Sequence, residues 1–135
     1  MNNPAVPASL RTWFVVHFLV DILFAVPLML APVYTLTIFG WQQVDPFTAR
    51  LVAAALFAIG IESYLGRNAD RSNYRLMLNL KIIWSLAAVT GLLLSMFQGA
   101  QGSPTVVWGL ILLFAAFNLL WLYWRARLSR DVPAS

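Results

Sequence analysis

The longest uncharged stretch of the chain limits its fold more than any other feature. From Ile82 to Trp124 the sequence contains no Asp, Glu, Lys, Arg or His. A transmembrane helix needs about 20 mainly apolar residues to cross about 30 Å of hydrocarbon, so this stretch can hold most of two such helices. The turn-forming residues Gln98–Pro104 divide it. We therefore predict membrane spans at Leu76–Phe97 and Thr105–Trp124.

The amino-terminal half contains two further apolar runs, at Thr12–Ala31 and Phe47–Gly66. Asp21 lies near the middle of the first run, where a carboxylate costs about 2.5–3.5 kcal/mol. The Leu, Ile, Phe and Val residues of that run contribute about −0.3 to −0.6 kcal/mol each and more than offset this cost. Pro32 should end the helix, and the short segment Val33–Pro46 is predicted to lie in the membrane interface.

The composition indicates a single membrane domain, residues 1–135. Of the 135 residues, 61% are hydrophobic and 10% are charged, whereas soluble domains carry about 25% charged residues. Short loops, including the hydrophilic Arg67–Arg75, join the four predicted spans. Such loops favour neighbouring helices that run in opposite directions. The predicted fold is therefore an all-α, integral membrane four-helix bundle with up-down-up-down topology.

The basic residues predict the orientation of this bundle. With four spans, both termini and the middle loop share one side of the membrane, and that side carries Arg11, Arg67, Arg71, Arg75, Arg125, Arg127 and Arg130. The opposite side carries only Arg50. Because Lys and Arg concentrate in cytoplasmic loops, we expect both termini in the cytoplasm. The general layout is that of small four-span proteins of the bacterial inner (plasma) membrane.

Polar residues at membrane depth are the candidates for a functional site, because such residues are rare and costly in hydrocarbon. They are His17, Asp21, Glu62, Lys81 and Asn118. At about 1.5 Å per residue they lie about 7–13 Å from the predicted cytoplasmic ends of their spans. Four helices thus place polar groups in the same half of the membrane. The sequence predicts a site there for a proton or a small ligand.

The individual candidates have both functional and structural interpretations. His17 and Asp21 are four residues apart, so they share a helix face and could hold or pass a proton. Glu62 and Lys81 have opposite charge at similar depth, which predicts an ion pair; Lys81 could instead extend to the headgroups. Asn118 could bind a ligand, but an interhelical hydrogen bond is the more common role of such a residue.

Two other patterns concern packing. Ala87, Gly91 and Ser95 recur every four residues on the third span and predict a small-residue face for helix packing. The fourth span ends in aromatic residues, Trp121, Tyr123 and Trp124, that are typical of a girdle at the membrane interface. The alternative function is therefore a structural or accessory subunit that binds a membrane partner or a second copy through small-residue faces.

Several classes of function lack their sequence signals. The chain has no cysteine and one histidine, so no metal site or cofactor is expected. No catalytic motif is present, and we expect no enzymatic activity. The few basic residues flank apolar runs, which favours the lipid bilayer over nucleic acid as a partner.

In size and in the acidic residue of its first span, the chain resembles the small multidrug exporters. Asp21 lies within the sequence HFLVDILF. In the exporters the corresponding acid is surrounded by small and hydroxyl residues. The resemblance therefore concerns gross layout, and no site residue is carried over from that family.

Overall fold

The computed structural model describes residues 6–99 and 103–130. In that part of the chain every regular element is a helix, and four helices are long and apolar enough to cross a membrane. The predicted all-helical class is thereby confirmed, and each of the four predicted spans falls on one of these long apolar helices. The helices are α1 (Ala8–Leu30), α2 (Pro32–Ile38), α3 (Pro46–Leu65), α4 (Arg71–Phe97) and α5 (Pro104–Arg130), with a 3₁₀ turn at Gly66–Asn68 after α3.

The helix boundaries follow from local capping chemistry. Asp45 caps α3 by accepting a hydrogen bond from the backbone N–H of Phe47 at 3.1 Å, and Pro46 occupies the first turn. Asp70 caps α4 by accepting from the N–H of Asn73 at 2.9 Å. This cap starts α4 at Arg71, so half of the loop predicted at Arg67–Arg75 is helical. The predicted turn at Gln98–Pro104 lies partly outside the described residues.

The interfacial segment contains the short helix α2. Helix α1 runs past Pro27 to Leu30, and Pro32 opens α2, as a proline in the first turn can do. The segment after α2 turns at Gly40, whose φ of +90° lies in the left-handed region that favours glycine. A Cβ on Gly40 would lie 2.7 Å from Cβ of Ser103, so this turn contacts the residue before α5.

Helix α1 packs closely against α3, and α4 packs closely against α5. The closest approach in the first pair is at Gly60, where an added Cβ would lie 2.7 Å from Cβ of Asp21. Ala49 and Ala53 are also buried on this side of α3. Small residues allow two helix backbones to come close, which explains the tight α1–α3 contact.

The two helix pairs meet in a hydrophobic core at one end of the bundle. The start of α1, the start of α4 and the end of α5 supply it: Leu10, Phe14, Tyr74, Met77, Leu78, Trp121, Trp124 and Leu128, with Val6 beside them. Trp121 is fully buried and Trp124 is 4% exposed. The prediction that both belong to an interfacial girdle is wrong, because their rings fill the space between helices. Tyr123, the third member, is exposed.

The carboxyl-terminal half of α4, in contrast to this buried core, is largely exposed. Beyond Ser85 no residue of α4 is buried, and Ala87, Gly91 and Ser95 are all exposed. A Cβ on Gly91 would meet no other atom of the described chain within 4 Å. The helix contact predicted for this face is therefore not made within the described chain, because the buried face of α4 points in another direction.

Candidate functional site

The site begins with one buried stripe along α1. Leu10, Phe14, His17, Asp21 and Ala25 are the buried residues of this helix. Their spacing of three and four residues places them on one face. The His17 imidazole and the Asp21 carboxylate therefore both lie in the interior of the bundle, one helical turn apart.

Helices α3 and α4 supply the groups opposite that stripe. Ser63 of α3 is 1% exposed, and Lys81 and Ser85 of α4 are each 2% exposed. Ser63 donates a hydrogen bond to the carbonyl of Ile59, 2.5 Å away in its own helix. Its oxygen thereby stays available as an acceptor on the buried face.

Lys81, the only lysine of the chain, ends between three helices. Its Nζ donates to Oγ of Ser63 at 2.6 Å and lies 3.0 Å from Nδ1 of His17. The ammonium group is thus held inside the bundle. The alternative that Lys81 extends to the headgroups is wrong, because its polar partners lie in the interior.

Aromatic rings surround the same group. Nζ of Lys81 lies 5.0 Å from the ring centroid of Phe14 and 5.2 Å from that of Trp121. The His17 ring meets Phe117 edge-on with centroids 4.8 Å apart. Aromatic faces attract a cation and exclude water, which strengthens electrostatic interactions within the cluster.

His17 links Lys81 to Asp21. Nδ1 of His17 lies 2.8 Å from Oδ2 of Asp21. Asp21 as a residue is 5% exposed. The distance is that of an ion pair, but the alignment is not that of a hydrogen bond. Oδ2 has no other hydrogen-bond partner among the described residues. A buried carboxylate is stabilised by nearby positive charge, which His17 or Lys81 can supply here.

The shared atom Nδ1 gives this arrangement its chemistry. A ring nitrogen either carries a proton and donates, or carries a lone pair and accepts. If Nδ1 carries a proton, that proton lies beside Asp21 and Lys81 finds no lone pair on the nitrogen; if Nδ1 accepts from Lys81, it carries no proton toward Asp21. Each location of the proton therefore satisfies one neighbour of His17 and leaves the other unsatisfied. Here Asp21, His17 and Lys81 are together called the buried triad.

Asn118 lies beside the buried triad and joins α5 to α4. Its amide donates to the carbonyl of Ile82 and to Oγ of Ser85, both at 2.9 Å. Ser85 in turn donates to the carbonyl of Lys81 at 2.7 Å. The expected interhelical hydrogen bond is present. This link fixes the position of the Lys81 turn of α4.

Glu62 is not paired with Lys81, and this prediction is wrong. The side chain of Glu62 is exposed, and it forms no ion pair with any described residue. Neighbouring residues on a helix point about 100° apart. The rotation of α3 that directs Ser63 to Lys81 therefore directs Glu62 to the surface.

A small cleft between α3 and α4 nevertheless brings Glu62 near the buried triad. It is lined by Ile59, Glu62, Ser63, Met77, Leu80 and Lys81. Its free space is comparable with that of one water molecule. The cleft is therefore too small for an organic ligand.

Three site residues were missed by sequence reasoning: Gly60, Ser63 and Ser85. Ser63 continues the spacing of Ala49, Ala53, Leu56 and Gly60 along one face of α3. That periodicity was the signal in the sequence that could have identified Ser63, and Glu62 does not share it. Ser85 lies one turn after Lys81 on α4, the same relation that links His17 and Asp21.

The described residues offer no obvious metal site, since no three His, Cys, Asp or Glu side chains among them lie close enough to share an ion. What the site offers is a set of titratable side chains between three helices, with α5 joined to it through Asn118. No protein family matches the chain, and neither a characterised protein nor a solved structure is detectably similar to it.

Proposed function

We propose that this chain is a non-enzymatic, multi-pass membrane protein whose buried triad takes up and releases a proton. The observation that carries the proposal is the position of Nδ1 of His17, 2.8 Å from Oδ2 of Asp21 and 3.0 Å from Nζ of Lys81. This nitrogen satisfies one neighbour at a time, and a proton on it lies beside two groups, a carboxylate and an amine, that can each accept a proton. Chains of Asp, Glu and His within membranes commonly serve as proton relays.

The small size of the cleft favours a proton over a small organic ligand. Ligand pockets are commonly about 300–1,000 Å³, and the space beside Lys81 is comparable with one water molecule. A proton needs no cavity of its own, only donors and acceptors at hydrogen-bond distance. The buried triad meets that requirement.

The proposal includes an orientation. Both termini lie in the cytoplasm, the four spans run up-down-up-down, and the membrane is the plasma membrane, the inner membrane of a bacterium. Seven arginines near the chain termini and the middle loop, against Arg50 alone on the other side, support this orientation. The buried triad then lies in the cytoplasmic half of the bilayer.

The test uses the fact that His17 and Lys81 are the only histidine and the only lysine of the chain. Protein labelled with ¹⁵N-histidine and ¹⁵N-lysine gives one side-chain signal set of each kind in nuclear magnetic resonance. The protein in lipid nanodiscs is titrated over the pH range in which it stays folded. We expect the His17 and Lys81 signals to change together over one pH interval, because they share a proton. Asp21→Asn should shift that interval or abolish the change.

The matched control is Asp45→Asn, which removes an exposed carboxylate at the start of α3. It should leave both signals as in the wild type. If the wild-type signals stay constant throughout the titration, the buried triad holds no exchangeable proton and the proposal fails. This reading needs the wild type alone, so it stands even if Asp21→Asn does not fold.

The second candidate function is an accessory subunit that binds a membrane partner or a second copy. The exposed face of Ala87, Gly91 and Ser95 favours it, since nothing in the described chain lies within 4 Å of a Cβ at Gly91. Gly91→Leu should then change the oligomeric state measured by light scattering in detergent. An unchanged state together with a titrating buried triad favours the proton site.

A further inference from the structure

The last turn of α5 is held by arginines of α4. Nη2 of Arg71 donates a hydrogen bond to the backbone carbonyl of Leu128, and Nη2 of Arg75 donates to the same oxygen at 2.9 Å. Two nitrogens bonded to one oxygen atom lie within about 6 Å of each other. The carboxyl-terminal turn of a helix carries partial negative charge, which favours cations there. Two guanidinium groups are thus brought together between α4 and α5.

A third arginine reaches the same turn from α5 itself. Nε of Arg125 donates to Oδ1 of Asn79 at 2.9 Å, and its Nη1 donates to Oγ of Ser129 at 2.6 Å. Asn79 lies one turn after Arg75 on α4, and Ser129 directly follows Leu128 on α5. The guanidinium groups of Arg75 and Arg125 are therefore bound to consecutive residues of α5. Here Arg75 and Arg125 are together called the arginine pair.

Each member of the arginine pair keeps a nitrogen available for a ligand. Arg75 uses Nη2 alone, and Arg125 uses Nε and Nη1. Nη1 of Arg75 and Nη2 of Arg125 have no hydrogen-bond partner among the described residues, and neither nitrogen is enclosed by them. A guanidinium group presents its N–H groups as a planar fork that matches the oxygens of a phosphate.

No carboxylate of residues 6–99 or 103–130 neutralises the arginine pair, since neither arginine forms an ion pair with them. Asp70, the acid nearest to Arg75 in sequence, is occupied as the cap of α4. It accepts hydrogen bonds from the Asn73 amide at 2.9 Å and from the Ser72 hydroxyl at 2.8 Å. Neighbouring positive charges repel each other, so an anion that contacts both arginines lowers the energy of the arrangement.

The length of the apolar part of α5 gives the depth of the arginine pair in a membrane. The uncharged residues Thr105–Trp124 directly precede Arg125. About 20 helical residues span about 30 Å, which is the thickness of the hydrocarbon layer. Arg125 therefore lies where the hydrocarbon ends and the polar headgroups begin. Arg75, which binds the Leu128 carbonyl beyond it, lies in the same layer.

We propose that the arginine pair is a binding site for the phosphate group of an anionic phospholipid. Nη1 of Arg75 and Nη2 of Arg125 donate to the phosphate oxygens from two helices. Leu122, one turn before Arg125, is exposed and offers apolar surface to an acyl chain. Basic groups between transmembrane helices at headgroup level suit anionic lipids in general. The site shares no residue with the buried triad and goes beyond the proton function.

The experiment compares two lipids that differ in headgroup charge. The purified full chain in a neutral detergent is titrated with phosphatidylglycerol or with phosphatidylcholine of the same acyl chains, and bound lipid is counted by native mass spectrometry. We expect phosphatidylglycerol to bind at lower concentration than phosphatidylcholine. The double variant Arg75→Gln with Arg125→Gln should weaken phosphatidylglycerol binding about 25-fold, because each arginine at headgroup level contributes roughly a factor of five. Its phosphatidylcholine binding should match the wild type.

The matched control is Arg67→Gln with Arg127→Gln, which removes the same charge from the same end of the bundle. The guanidinium group of Arg67 lies 3.8 Å from the ring centroid of Tyr64, and that of Arg127 lies 5.4 Å from that of Trp124. These arginines therefore stack on aromatic rings, outside the arginine pair. The control should keep most of the wild-type affinity for phosphatidylglycerol. Equal losses in the two double variants overturn the proposal, because a diffuse positive field would then hold the lipid.

The wild type alone gives the remaining outcomes. Equal affinity for the two lipids overturns the proposal. Displacement of bound phosphatidylglycerol by an equal concentration of soluble glycerol phosphate also overturns it, because the site would then take a free phosphate compound. If the double variant does not fold, a phosphatidylglycerol analogue with a photoreactive headgroup carries the test. Its crosslinks should map to the start of α4 and the end of α5, and crosslinks confined to other segments overturn the proposal.

Discussion

Helices α3 and α4 both present small residues at helical spacing, with opposite results. On α3, Ala49, Ala53 and Gly60 are buried against α1. On α4, Ala87 and Gly91 are exposed, and no helix of the described chain covers them. A small-residue face permits close approach of another backbone. The comparison teaches that such a face does not by itself select a partner.

The two small-residue faces differ in the polar residues that lie next to them. The α3 face continues into Ser63, which binds Lys81, and Gly60 lies directly against Asp21. On α4 the polar residues Lys81 and Ser85 belong to the face that packs inward, and burial ends at Ser85. Within a membrane the apolar surroundings give helices no hydrophobic reason to associate. Close packing and polar contacts together therefore decide which face turns inward.

The largest expected effect comes from adding a methyl group to each face. Gly60→Ala should lower the free energy of unfolding by about 1–3 kcal/mol, because the new Cβ would lie 2.7 Å from Cβ of Asp21, close to the α1 backbone. Gly91→Ala should leave it unchanged or raise it by up to about 1 kcal/mol, since alanine favours a helix more than glycine does. Unfolding in mixed micelles of increasing denaturing detergent measures both. Equal losses in the two variants would contradict the comparison.

A smaller effect should distinguish the two halves of α4. Asn118→Leu removes the donor to Ile82 and Ser85 in the buried half and should cost about 0.5–1.5 kcal/mol, as for other interhelical hydrogen bonds in membranes. Thr90→Val removes a hydroxyl in the exposed half that donates only to Leu86 of its own helix. Its cost should stay within about 0.5 kcal/mol. The same detergent titration compares them, and a larger cost for Thr90→Val than for Asn118→Leu would reverse our assignment of the packed half.

The smallest effect should come from the caps, which are alike in α3 and α4. The Thr48 hydroxyl and the Phe47 amide lower the pKa of Asp45, and the Asn73 amide and Ser72 hydroxyl lower that of Asp70, below the ordinary 3.8. A carboxyl group with a lowered pKa in the folded state stabilises the protein fully above its ordinary pKa. This stabilisation is lost as the pH falls through the folded-state pKa.

The caps can therefore be tested by acid. Thermal unfolding midpoints of the wild type should fall slightly between about pH 5 and pH 2. Asp45→Asn and Asp70→Asn should each remove part of that fall, because asparagine caps a helix without titrating. If the two variants reduce the fall by similar amounts, the caps of α3 and α4 contribute alike. The difference between the two helices then comes from their small-residue faces. If neither variant alters the fall, other carboxyl groups cause it.

Part of the site could be predicted because it depends on one helix at a time. The spacing of His17 and Asp21 placed them on one face of α1, and the structure brings them within 2.8 Å. The partner of Lys81 could not be predicted in this way. Glu62 and Ser63 are adjacent in sequence but point about 100° apart, so the choice between them depends on the rotation of α3 about its axis. Opposite charge favoured Glu62, and packing at Gly60 selected Ser63.

The four helices that are long and apolar enough to cross a membrane were determined by the sequence alone, because this capacity depends on the length and composition of each segment. Which groups meet inside the bundle was decided only by the tertiary structure. Helix rotation and register depend on contacts summed over neighbouring helices. A small-residue pattern or a charge on one helix does not specify those contacts. The meeting of Asp21, His17, Lys81 and Ser63 therefore became visible only once the four helices were packed together.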